Sequence, residues 1–255
     1  MFSWCDPENR PLIVAHRGSS AHAPENTLAA FRRAIEDGAN AIELDVRLSK
    51  DGEVVVFHDS RLERKTDGSG PVRDATLSEL KKLHVESRIQ RRIVRERIPT
   101  LSEVFDLCAG RIGLNVEIKA DRQRRHELNI VDRCCKLIRQ YHLKHSVLVS
   151  SFHHHYIKYL KQQNEEIFGG LLFHPLKRVG RSAVSLGAKL QAEYLIFGGA
   201  SLRKYVVRRA HGRGLFVGEF RVNTERRCAQ AVRYGVDAII TDDPARMRKL
   251  LSSMK

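Results

Sequence analysis

The stretch that decides the fold is Ala41–Asp59, AIELDVRLSKDGEVVVFHD. In an extended strand successive side chains point to opposite faces, so Ile42, Leu44 and Val46 share one face and Glu43, Asp45 and Arg47 the other. The two carboxylates then sit roughly 7 Å apart along the strand, close enough to ligate one hard cation with a third ligand from elsewhere. Lys50-Asp51-Gly52-Glu53 carries the Asp-Gly signal of a tight hairpin. A link that short cannot join parallel neighbours. The returning strand Val54–Phe57 therefore brings His58 back beside Glu43 and Asp45. Alternation of charged and apolar residues is also what a half-solvated hairpin with no chemistry would show. The rest of the chain decides between the two.

Working outward, Leu12–Ala15 is a short apolar strand ending at His16-Arg17-Gly18. A helix follows over TLAAFRRAIEDG, with Leu28, Phe31 and Ile35 on one face, Asn26 as its expected N-cap and Gly38 as its stop. With the strand at Ala41 this is a βαβ unit. Residues 60–110 break the rhythm and read as a small, mostly helical insertion after the second strand. Thr76-Leu77-Ser78-Glu79 and Thr100-Leu101-Ser102-Glu103 are capping boxes that start its helices, and the strongly basic piece between them reads as mobile. From Leu114 the strand–helix alternation returns. Strands are expected at Leu114–Ile118, Val147–Ser150, Ile167–Phe173, Tyr194–Phe197, Leu215–Phe220 and Ala238–Ile240. The intervening helices include His126–Tyr141 and His153–Gln163. Eight βα repeats in 255 residues predict an α/β protein, a single (β/α)8 TIM barrel over 1–255. An open doubly wound sheet lacks support, since no GxGxxG follows a strand.

Composition bounds the function. The apolar fraction is 42%, and no apolar run approaches the ~18 residues of a membrane span. The N-terminal MFSWCDPENRP lacks the basic and apolar regions of a signal peptide. Five cysteines, with Cys134 and Cys135 adjacent and no CxxC spacing, fit free thiols in a reducing, cytoplasmic setting. The net charge of +15 draws anionic partners: nucleic acid, an anionic lipid surface or small phosphorylated substrates. Basic residues cluster at Arg88–Arg97, Arg122–Arg125, Arg203–Arg213 and Arg246–Lys249. None of these carries the run of interleaved aromatics that a single-strand binder needs, so no nucleic-acid partner is expected. Peripheral contact with an anionic membrane stays open, and oligomeric state is unspecified.

In a (β/α)8 barrel the chemistry sits at the C-terminal ends of the strands. His16 and Arg17 lie there after the first strand, Glu43 and Asp45 on the second, Glu117 and Lys119 on the third and Asp242 after the last, with His58 arriving from the hairpin. Three carboxylates on one mouth repel one another unless a divalent cation relieves them, and oxygen-only ligation suits Mg²⁺ or Ca²⁺. Two histidines beside a metal suit general acid–base work. Arg17 and Lys119 supply charge for a phosphoryl group. Together these describe metal-assisted phosphodiester cleavage.

HRG at 16–18, PENT at 24–27, ELD at 43–45, HD at 58–59 and EIK at 117–119 resemble the glycerophosphodiester phosphodiesterase family. LERKTDGSGPVRDATLSELKKL, IPTLSEVF, LVSSF and VDAIITDDP extend the likeness from Leu12 to about Pro244. The resemblance implies a metal held by Glu43, Asp45 and Glu117, His16 and His58 as the acid–base pair, and Arg17 and Lys119 as phosphate contacts. It implies cleavage of glycerophosphodiesters to sn-glycerol 3-phosphate and an alcohol, with the substrate's own 2-hydroxyl as nucleophile. Alternatives are lysophospholipase D action on lysophospholipids and a non-catalytic phospholipid-binding barrel. The second is disfavoured because no histidine or acid of the set is missing.

Other features favour structural readings. Glu25 is expected to orient Arg17 or cap the helix at Thr27. His153, His154 and His155, adjacent on a helix, point apart. Asp242 reads as a residue that fixes its loop, and Cys134 and Cys135 as packing and partly exposed residues. One departure from the family bears on specificity: where Trp-Thr-Val-Asn is common after the seventh strand, this chain has Phe220-Arg221-Val222-Asn223. Phe220 can still wall the alcohol pocket, and Arg221 adds positive charge at its rim. We predict a preference for head groups carrying extra negative charge. Arg221→Ala lowers the turnover of glycerophosphoinositol relative to glycerophosphocholine; an unchanged ratio refutes this.

Overall fold

The computed structural model describes residues 2–5, 10–89, 91–120, 128–174, 180–199 and 202–254. Eight parallel strands close into a barrel: β1 (Leu12–His16), β2 (Ala41–Leu48), β6 (Gly113–Ile118), β7 (Val147–Ser151), β8 (Phe168–Phe173), β9 (Tyr194–Gly198), β10 (Phe216–Phe220) and β11 (Ala238–Thr241). Each hydrogen-bonds to the next, and β1 closes the ring by pairing with both β11 and β2. The hairpin is as expected. β3 (Val54–Val56) returns antiparallel along β2, with Leu48 opposite Val54, and Gly52 takes the positive φ the turn demands, +80°.

The two faces of β2 separate as the alternation predicts. Ile42, Leu44 and Val46 are fully buried between the barrel and its helices, against α1 (Leu28–Glu36) and α3 (Leu101–Cys108). Glu43 and Asp45 point into the barrel mouth. The N-cap of α1 is Thr27, whose hydroxyl accepts from the Ala30 N–H, not Asn26. Asn26 sits in left-handed backbone with φ +59° and is drawn to Asp45.

The insertion holds the two expected helices and, between them, a pair of strands. α2 (Leu77–Leu80) and α3 start at the two capping boxes. The basic piece between them contains an antiparallel ribbon, β4 (His84–Ile89) and β5 (Arg92–Arg97). Its β-branched residues Val85, Ile93 and Val94 favour strand. α3 packs on α1 and on α4 (Asn129–Gln140), against the barrel's helix layer. The insertion has a small core of its own around Phe57, Leu62, Leu80, Val85 and Ile98.

The first turn of the fourth helix predicted from His126, and the Arg122–Arg125 cluster, lie outside the described residues. Cys134 and Cys135 are both fully buried, so neither is partly exposed, and all five cysteines are free thiols. Among the described residues no helix is long and apolar enough to cross a membrane.

The N-terminal end of the barrel is closed by a plug that periodicity does not reveal. Trp4, 1% exposed, packs edge-on against Phe2 and Tyr194, both at 5.4 Å, and its indole N–H donates to the Ser146 carbonyl at 3.1 Å. Arg10 donates to the Trp4 carbonyl and the Tyr194 hydroxyl and lies over the Phe216 ring at 4.2 Å. Trp4→Ala opens a cavity in this plug and is expected to cost about 3–5 kcal/mol, read as a lower urea midpoint with an unchanged slope.

Candidate active site

The site begins with a turn. Arg17 and Gly18 both have positive φ, +56° and +81°. A Cβ on Gly18 would meet the Ala30 backbone at 2.7 Å, so only glycine lets the chain bend back over α1. The bend aims the Arg17 backbone N–H at Glu43 Oε2, 3.0 Å. The guanidinium reaches Asp45 Oδ2 at 3.1 Å and Glu25 Oε1 at 2.9 Å. Glu25 also accepts from Lys65 at 3.0 Å, and its bond to the guanidinium orients Arg17.

Strand register builds the acidic cluster. Asp45 and Glu117 are direct partners across β2 and β6, and neighbouring strands lie about 4.8 Å apart. Glu43 stands two residues earlier on the same inner face. One ligand oxygen from each of Glu43, Asp45 and Glu117 lies within 4.8 Å of the others, and all three residues are buried. Asn26 clips Asp45 from both sides, its amide donating to Oδ2 at 2.8 Å and its carbonyl accepting the Asp45 N–H at 3.1 Å.

Burial and charge act against each other here. Burial, then the neighbouring Asp45, pushes the Glu43 carboxyl well above the usual range, and burial pushes Glu117 up as well. For Asp45 burial acts the same way, but Lys119 and Arg17 outweigh it and hold the carboxyl below its usual range. Lys119 reaches Asp45 Oδ1 at 3.0 Å and bonds to Glu117. Asp45 Oδ1 is nonetheless a buried oxygen with no directed hydrogen bond. Three buried carboxylates, two of them pushed toward protonation and one with an unsatisfied oxygen, form an oxygen-only donor set that fits a hard divalent cation.

The two histidines are held alike. His16 Nδ1 lies 2.6 Å from Asp242 Oδ1, and His58 Nδ1 lies 2.6 Å from Asp59 Oδ1. A carboxylate on Nδ1 fixes the ring and leaves Nε2 for other partners. His16 Nε2 is 4.0 Å from Glu43 Oε2. Each carboxylate is itself anchored. Asp242 is held by the Asn223 amide, and the Asn223 carbonyl accepts from the Asp242 N–H at 2.9 Å. Asp59 takes two bonds from Arg64 at 2.6 Å, and against the effect of burial Arg64 and His58 bring its pKa down to about 2. Arg47 grips the His58 carbonyl through Nε and Nη2. Burial, aided by Lys119 and Arg17, pulls the His58 pKa below its ordinary value against the opposing effect of Asp45.

These groups open onto one cavity of about 470 Å³. His16, Arg17, Glu43, His58, Glu117 and Lys119 line its polar side. Phe152, Leu172, Phe220 and Ile240 line the other, with His174 and Arg221 beside them. Phe152 meets Phe220 edge-on at 5.9 Å. Seven of the eight predicted site residues thus share one space; the eighth, Asp45, is fully buried, held by Asn26, Arg17 and Lys119. A second cavity, about 760 Å³, adjoins through Phe152, Leu172 and His174 and is walled by Phe173, Ala183 and Leu186.

Asn26, Asp59, Asn223 and Arg47 carry positioning contacts that sequence reading did not assign. Asp59 and Asn223 stood inside quoted motifs, and for Asn26 the signal was its tolerance of left-handed backbone. The histidine triplet does not gather as a metal site. His154 Nε2 is 2.9 Å from the Leu172 carbonyl, and among the described residues the acidic trio is the one group with ligand spacing.

Residues 16–246 match the glycerophosphoryl diester phosphodiesterase family. The glycerophosphodiester phosphodiesterase of Caldanaerobacter subterraneus subsp. tengcongensis is 36% identical over 95% of this chain and 98% of its own. That of Bacillus altitudinis is 32% identical over 95% and 99%. A solved phosphodiesterase of Oleispira antarctica, in complex with the product sn-glycerol-3-phosphate, is 30% identical and superposes with a TM-score of 0.84 over 95% of this chain and 97% of that one. Match length, identity and fold agree, and the chain belongs to the glycerophosphoryl diester phosphodiesterase family.

Proposed function

We propose that this chain hydrolyses glycerophosphodiesters to sn-glycerol 3-phosphate and an alcohol, as one barrel domain carrying its insertion. The observation that carries the reading is the pair of carboxylate-anchored imidazoles, His16 on Asp242 and His58 on Asp59, opening with a buried acidic trio onto one cavity. Glu43, Asp45 and Glu117 would hold one divalent cation, Mg²⁺ or Ca²⁺, which supplies Lewis-acid polarisation of the phosphoryl oxygens.

The chain's own residues do the rest. Arg17 and Lys119 offset the phosphoryl charge, and Phe220 walls the leaving alcohol. One imidazole takes the proton of the glycerol 2-hydroxyl at Nε2. That oxygen attacks phosphorus, the bond to the alcohol oxygen breaks, and the other imidazole gives the departing oxygen a proton. The roles then exchange. The second imidazole takes a proton from water as its oxygen attacks the cyclic phosphodiester, and the first returns its proton to the 2-oxygen as that bond breaks. Intramolecular attack supplies effective concentration, so no protein nucleophile is needed. The five free thiols support placing this chemistry in the reducing cytoplasm.

Chelation with EDTA is expected to abolish release of glycerol 3-phosphate and Mg²⁺ or Ca²⁺ to restore it. His16→Ala and His58→Ala each lower kcat by about 10²–10⁴. Full turnover in the chelated protein, or in either variant, refutes the mechanism.

The adjoining apolar cavity favours a second reading, lysophospholipase D action. It offers space for an acyl chain on the substrate's glycerol, and a 1-acyl lysophospholipid keeps the 2-hydroxyl the mechanism needs. Release of lysophosphatidic acid from 1-acyl but not from 2-acyl lysophosphatidylcholine supports it; cleavage of neither removes it.

A further inference from the structure

The β4–β5 ribbon is unlike the rest of the surface. Its strands make their principal contacts with each other, and its root is fixed. Val85 is buried in the insertion's core, and the Glu86 N–H donates to the Lys65 carbonyl at 2.8 Å. The adjacent Arg64 lines the active-site cavity and holds Asp59. From Val85 the strand runs roughly 17 Å to the turn at 3.3 Å per residue.

Basic side chains near the root are partnered. Arg95 pairs with Glu86, His84 with Asp67, and Arg97 donates to the Lys81 and Lys82 carbonyls. Those at the tip are not: among the described residues Arg88, Arg91 and Arg92 have no carboxylate partner, and all three are exposed. Between them stands Ile93, 62% exposed, directly opposite Arg88 across the ladder.

An exposed aliphatic side chain with Arg88 beside it on one face of the ribbon, and Arg91 and Arg92 following at the turn and on the other face, matches the layering of a bilayer surface, where anionic head groups lie above hydrocarbon. We propose that the ribbon tip docks this protein on anionic lipid bilayers, with Arg88, Arg91 and Arg92 meeting head groups and Ile93 entering the acyl boundary. The rim carrying Arg64 is thereby brought to the lipid surface. Nucleic acid is the less favoured occupant, because residues 84–97 contain no Phe, Tyr or Trp on which a base could stack. The inference rests on the ribbon and not on the hydrolytic reading.

The test is co-sedimentation of the full chain with vesicles of phosphatidylcholine alone and of phosphatidylcholine mixed with phosphatidylserine. Binding to the mixed vesicles is expected, and it weakens as salt rises. The triple variant Arg88→Ser, Arg91→Ser, Arg92→Ser loses about 100-fold in partitioning, and Ile93→Ser roughly tenfold. Both keep wild-type turnover of soluble glycerophosphocholine, which reports the fold and the site independently of docking. Three results overturn the proposal: no binding of wild type to anionic vesicles, equal binding by the triple variant, or retention of single-stranded RNA without vesicle binding.

Discussion

The whole upper end of the barrel is organised by three carboxylates removed from water within a few ångströms of one another. Glu43, Asp45 and Glu117 are at most 7% exposed, where like charges repel strongly. Arg17 and Lys119 offset that repulsion only in part, since Glu43 and Glu117 remain displaced toward protonation. The left-handed turn at Arg17-Gly18, the Asn26 clip and the inward reach of Lys119 all serve the same requirement. Each brings a donor or a positive charge to an acid that has lost its solvent.

Scaffold and chemistry occupy different depths. Toward the N-terminal end the barrel holds Trp4, Leu12, Val14, Leu148, Tyr194 and Ala238, an apolar interior. Toward the C-terminal end the inward positions turn ionisable: Val14 gives way to His16 and Ala41 to Glu43. Hydrophobic burial below sets the rigid frame on which strained and charged groups are held above, consistent with barrels that keep stability and chemistry at opposite ends. The insertion contributes to the upper layer. It supplies Arg64 and packs against the end of β3 that delivers His58 and Asp59, so the second imidazole depends on packing around Phe57 and Leu62.

Much of this was legible in the chain. The period-two alternation of β2 separated core from site, Asp-Gly marked the hairpin, and the capping boxes located α2 and α3. Where the structure departs from these signals, a local preference met a stronger tertiary one. Asn26 resembles an N-cap, but Thr27 can cap α1 equally well, and the buried Asp45 needs Asn26 more. The basic run at 88–97 concealed a strand alternation, because charge is a poor guide to backbone. Trp4 lies outside any periodic element and acquires meaning only against Tyr194.

Which faces are apolar, where the turns fall and which residue types reach the mouth follow from the backbone repeat of each element and its immediate neighbours, and are legible in the chain. The pairings arise only in the assembled fold. Asp45 stands opposite Glu117 through strand register, and His16 meets Asp242, 226 residues away, because β1 closes on β11. Ring closure and register are properties of the assembled sheet, and no local stretch of chain encodes them.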